Sequence, residues 1–82
     1  MIKCALIQHR LRNLEQATGD ALAQGCQAAA QAGCRLVLLQ ELHNGPYFCQ
    51  TEAADELDRA EAVPGPTTER LGALAAKHSL VI

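Results

Sequence analysis

The 82-residue chain has no tryptophan, one tyrosine and one phenylalanine. It also has no basic stripe, and its formal net charge is −2. Nothing supplies the clustered Lys and Arg that would neutralise a phosphate backbone, so no nucleic-acid partner is expected. No apolar run approaches the roughly 18 residues of a membrane-spanning helix, so no membrane partner is expected. The opening, Met1-Ile2-Lys3 and then the short apolar run Cys4 to Ile7, reads as a strand and not as an export signal. The four cysteines, Cys4, Cys26, Cys34 and Cys49, include no C-x-x-C pair. No histidine stands at a zinc-like spacing from them. Reduced, mostly buried thiols, a cytoplasmic location and no metal are the expectation. There is no internal repeat and no low-complexity tract. The length allows one domain at most, with a modest core.

What is there alternates between strand and helix. Ile2 to Gln8 is a continuously apolar run after Lys3, as suits a central strand covered on both faces. His9 to Leu14 is a polar turn region. A helix is expected over Thr18–Ala32, with Thr18 as N-cap, Asp20 in the first turn and Gly33 as C-terminal cap. Leu22, Cys26, Ala29 and Ala30 form a small-residue stripe at helical spacing. Gly19 and Gly25 weaken that helix by up to about 1 kcal/mol each. Leu36 to Leu39 is a second apolar strand, parallel to the first. Residues 51–62 are acid-rich and read as a solvated face. Pro64-Gly65-Pro66-Thr67-Thr68 launches a second helix, capped by a Thr, with Glu69 in its first turn and Lys77 and His78 in its last. Its apolar face is Leu71, Leu74 and Ala75. Leu80-Val81-Ile82 then begins a third strand.

The segment that bears chemistry is Leu38-Leu39-Gln40-Glu41-Leu42-His43-Asn44-Gly45-Pro46-Tyr47-Phe48-Cys49-Gln50. Open parallel sheets gather their sites beyond the carboxyl ends of strands, and Glu41 stands there. Burial there would raise a carboxylate toward a general base's range. Tyr47 and Phe48 equally suit packing of a loop on the core. Cys49 is the first thiol after Glu41 in sequence, but nothing beside it supplies oxyanion donors.

Strand, helix, strand and then Leu-Leu-Gln-Glu-Leu-x-x-x-x-Tyr-Phe-Cys-Gln resembles the opening of the carbon–nitrogen hydrolase (nitrilase) superfamily. The stretch is most similar to its N-carbamoylputrescine amidase branch. Met1 to Gln8 is similar to the family's first strand, and Ala60 to Leu71 resembles its Pro-Gly-Pro-Thr-Thr helix start. The resemblance implies an α/β fold: residues 1–82 as the N-terminal β-α-β-α-β part of an incomplete α-β-β-α sandwich. It implies a Glu–Lys–Cys mechanism in which Glu41 is the catalytic general base and Tyr47 lines the substrate pocket. No cofactor is implied. The implied partner is a small-molecule carbamoyl amine or amide, and the intact family commonly forms homo-oligomers. No segment here resembles the family's Lys or nucleophilic Cys motifs, so the chain alone is expected to be inactive. Two alternatives stay open: a non-catalytic piece that docks on intact homologues, and a small α/β binding domain.

Overall fold

The computed structural model describes residues 1–10, 15–43 and 59–82, with 15–17 described as helical backbone alone. Their element order is β1 (Cys4–Ile7), α1 (Glu15–Gln31), β2 (Leu36–Leu39) and α2 (Pro66–His78). β1 and β2 pair in parallel, Cys4 opposite Leu36 and Ile7 opposite Leu39. Parallel neighbours need a long crossover, and α1 lies within it. The third strand expected at Leu80–Ile82 is reduced to a single bridge between Val81 and Leu36. There the Val37 N–H donates to the Val81 carbonyl at 2.8 Å, and the Val81 N–H donates to the Arg35 carbonyl at 2.9 Å. β2 therefore lies between β1 and Val81.

Alternation along the strands divides the sheet into two faces. Val37 is buried, and Ala5, Ile7 and Leu39 are half-buried against the core. The other face carries Leu6 at 79% exposure and Leu38 at 64%. The expectation of a central first strand covered on both faces is thus corrected. Among the described residues β1 is an edge strand, and both helices pack on one face only. The apolar run is composed for two-sided burial, but only one covering layer is described.

α1 supplies that layer. Leu22, Cys26 and Ala29 are buried, as their spacing predicts, and Thr18 extends the same stripe at 1% exposure. Thr18 is therefore not the N-cap: helical backbone is present from Glu15, and Thr18 Oγ1 faces inward without a hydrogen-bond partner. The end of α1 matches its sequence signal. Gly33 has φ +82°, its N–H donates to the Ala30 carbonyl, and the Cys34 N–H reaches back to the Ala29 carbonyl. This is the Schellman pattern, and it satisfies carbonyls the helix leaves open. α1 has no basic residue in its last turn. Lys3 supplies one from the start of β1, its Nζ donating to the Ala32 carbonyl at 2.6 Å.

α2 begins differently from its expected Thr cap. Gly65 is the N-cap, with no side-chain capping bond, and Pro66 occupies the first turn. The orphan N–H of Thr67 is met instead by the Glu61 carboxylate at 2.7 Å. Hydrogen bonds from the Thr67 hydroxyl and N–H hold that carboxyl below its ordinary value. α2 ends as α1 does: Ser79 is left-handed at φ 54°, and the Leu80 N–H reaches back to the Ala75 carbonyl. Buried Cys34 and Leu80 follow the two left-handed residues and join the same core.

Gly25 marks a close approach of α1 to the sheet. A Cβ there would meet Ile7 Cδ1 at 2.9 Å and Cγ2 at 3.0 Å. Gly25→Ala gains about 1 kcal/mol of helix propensity but overpacks Ile7, which costs about 1–3 kcal/mol. Urea denaturation should show a net loss of stability, reversed to a gain in an Ile7→Ala background. At Gly33 a Cβ would meet open space. Gly33→Ala should cost about 1 kcal/mol through its backbone alone.

Candidate functional site

β2 runs toward the end of the sheet where parallel folds place ligands. Gln40 follows it, and Glu41-Leu42-His43 form a turn. Glu41 is exposed. Leu42 sits at φ 52°, a left-handed conformation that costs a bulky L-residue roughly 1–2 kcal/mol. Tyr47 and Cys49 lie outside the described residues.

Three distant segments converge on this turn. The His9 N–H, just past β1, donates to Gln40 Oε1 at 2.7 Å. His9 Nδ1 lies 3.1 Å from the Arg10 carbonyl, which can only accept, so that nitrogen carries a proton in this contact. The His43 ring is half-buried and hydrogen-bonded to the Gln40 backbone. Burial, and then the charges of His9 and Arg70, hold its proton affinity below the ordinary imidazole value. Arg70, from the first half of α2, also acts on Glu61 and lies against Gly19 of α1, where a Cβ would be 3.9 Å from Nη1. His9 Nε2, His43 Nε2 and Thr18 Oγ1 are buried without a hydrogen-bond partner. The sequence does not announce His9, Gln40 and Arg70 as a group, because no periodicity links them. The usable signal is that His9 and Gln40 each stand just beyond the end of a strand, while Arg70 lies within α2.

The described lysines are elsewhere. Lys3 is engaged with the Ala32 carbonyl, and Lys77 lies in the last turn of α2. Both belong to the amino end of the sheet, separated from Glu41 by the length of β2, about 10 Å at 3.3 Å per residue. Among the described residues no three His, Cys, Asp or Glu side chains converge as a metal site would require. No described helix is long and apolar enough to cross a membrane. Among the described residues, two hollows open on the sheet. The larger, about 430 Å³, is at the amino end and is lined by Met1, Ile2, Arg35, Leu36 and the Ser79–Val81 segment. It holds no carboxylate, imidazole or thiol. The smaller, about 200 Å³, lies at the carboxyl end between Gln8 and Gln40, with Leu6 and Leu38 in its wall. Topology alone favours the smaller one, whose lining likewise holds no carboxylate, imidazole or thiol.

The described thiols differ in accessibility. Cys26 and Cys34 are buried while Cys4 is exposed, and burial pushes the Cys26 thiol above its ordinary value. In a Cys49→Ser variant, a disulfide reagent should label Cys4 at once and Cys26 and Cys34 only on unfolding. The His43 imidazole has a second consequence. A base with lower proton affinity in the folded state contributes stability above its unfolded value of 6.5 and loses it as pH falls through that value toward the folded one. The urea midpoint should therefore decline on acidification through this window, and His43→Gln should flatten the decline. An unchanged profile in the variant would show that His43 is not its source.

Comparisons with known proteins cover the whole described fold. The sequence model of the carbon-nitrogen hydrolase family matches residues 3–82. The chain is 42% identical over 57 residues to an N-carbamoylputrescine amidase of Solanum lycopersicum, covering 68% of this chain and 19% of that protein. It is 33% identical over 82 residues to an N-carbamoylputrescine amidase of Oryza sativa subsp. japonica, covering 99% of this chain and 27% of the relative. A Solanum tuberosum protein of the same name is 40% identical over 57 residues, 68% of this chain and 19% of its own length. No solved structure matches significantly. The chain thus spans about a quarter or less of the curated relatives it matches. With its mixed α/β architecture and a match running from Lys3 to Ile82, it belongs to the carbon-nitrogen hydrolase family.

Proposed function

We propose that this chain supplies the general base of an amidase that hydrolyses a non-peptide C–N bond, with N-carbamoylputrescine as substrate. The carrying observation is Glu41, which follows a parallel strand at its carboxyl end in a chain of the carbon-nitrogen hydrolase family. The names of the three relatives support the substrate. Glu41 takes the proton of a nucleophilic cysteine as the sulfur bonds to the carbamoyl carbon. A lysine stabilises the resulting oxyanion. Collapse breaks the C–N bond, and putrescine leaves with the proton returned by Glu41. Glu41 then activates water, whose oxygen displaces the sulfur, and the released carbamic acid breaks down to carbon dioxide and ammonia. Tyr47 lines the substrate pocket. The lysine and the nucleophile come from outside residues 1–82.

The sandwich completes the same picture. A second sheet packs on the open face bearing Leu6 and Leu38, whose exposure is otherwise costly. The assembled enzyme is a cytoplasmic homo-oligomer. A second reading draws on that open face too: a non-catalytic piece that docks on intact homologues.

The test joins Ile82 to the part of the rice relative that follows its matched segment. The fusion should release putrescine from N-carbamoylputrescine, while the 82-residue chain alone should not. Glu41→Gln should lower the rate of the fusion by about 100-fold or more. Full activity in that variant would sink the assignment of Glu41. A folded but inactive fusion would favour the docking reading.

A further inference from the structure

We propose that Gln40 is a positioning residue for Glu41, its side-chain amide tying the turn that carries the carboxylate to the end of β1. The proposal rests on the reading of Glu41 as general base. The β1–β2 register ends at Ile7 opposite Leu39. Beyond it the chain leaves β2 for the turn at Glu41–His43, and the next donor on the β1 side is the His9 N–H. That N–H meets an oxygen at 2.7 Å, and the oxygen belongs to the Gln40 side chain. The amide thus extends the pairing by one step. It does so without fixing the Gln40 main chain to β1, and that main chain instead holds the His43 ring.

The turn is therefore tied at both ends, by Gln40 to β1 and by His43 to Gln40. Glu41 and the left-handed Leu42 lie between the ties. A left-handed leucine persists only where its surroundings over-determine it. A carboxylate that serves as base in one step and acid in the next must keep its place through both. An aliphatic side chain of the same length at position 40 would leave the His9 N–H without this acceptor and release one end of the turn.

The test uses the isotope-labelled 82-residue chain and two substitutions. Gln40→Leu keeps the bulk and removes the acceptor, and Gln40→Glu keeps an acceptor. In Gln40→Leu the His9 amide should exchange about tenfold faster or more, while the Ile7 amide keeps its rate. The resonances of Glu41 and the φ-dependent coupling of Leu42 should move with it. In Gln40→Glu they should stay near the parent, because a carboxyl oxygen can take the place of the amide oxygen. Unchanged His9 exchange and Leu42 coupling in Gln40→Leu would overturn the proposal, as would a loss of His9 protection in Gln40→Glu equal to that in Gln40→Leu. In the fusion enzyme, Gln40→Leu should lower kcat with little change in KM, and Gln40→Glu should restore part of it. If Glu41→Gln silences the fusion but Gln40→Leu leaves kcat intact, the positioning role falls alone. If Glu41→Gln is active, the general-base reading falls while the His9 result still reports on the tie.

Discussion

The backbone pairing of β2 is the constraint on which the other elements depend. It bonds to β1 on one side and to Val81 on the other, so its four residues cannot shift along their axis without breaking two sets of hydrogen bonds. Both helices deliver the chain to it in the same way. Each ends in a left-handed residue, and each then buries the next side chain, Cys34 or Leu80, in one core. The close approach of Gly25 to Ile7 seats α1 against the neighbouring strand. With the strand fixed laterally and the helices fixed against one face, the residues that follow Leu39 emerge at a defined place.

Much of this was legible residue by residue. Leu36–Leu39 stands out because four aliphatic residues lie between a helix-ending Gly33 and a charged Glu41. Gly33 could be read because few other residues take its φ cheaply. The start of α1 departs from its sequence signal because Thr is a good N-cap by type, whereas burial four residues before Leu22 makes Thr18 part of the core stripe. Side-chain capping of α2 was misplaced for a related reason: the acceptor is Glu61, six residues from Thr67 and outside any helical spacing. The third strand shrank to Val81 because three residues offer little to pair.

At the site, the position of Glu41 could be inferred from the strand before it, but its neighbours could not. His9, His43 and Arg70 come from the end of β1, the turn and α2, and only the packing of those elements brings their charges within range of one another. Family membership adds what no local pattern contains, a context in which an exposed carboxylate beside an uncovered apolar face is a reasonable intermediate level of structure.

The paired helix endings have one more implication, for the lengths that evolution can tolerate. Between Gly33 and Leu36 stand only Cys34 and Arg35. Side chains alternate across a strand with a period of two, so one inserted or deleted residue there would exchange the two surfaces of β2. Val37 would turn outward, Leu36 and Leu38 would turn onto α1, and Gln40 would lose its alignment with His9. Substitution of exposed Arg35 changes little as long as the number of residues is kept, whereas buried Cys34 also belongs to the core. The sidedness of the sheet is written here as a count of residues more than as their identity, and an indel at this point would unmake both core and site in one event.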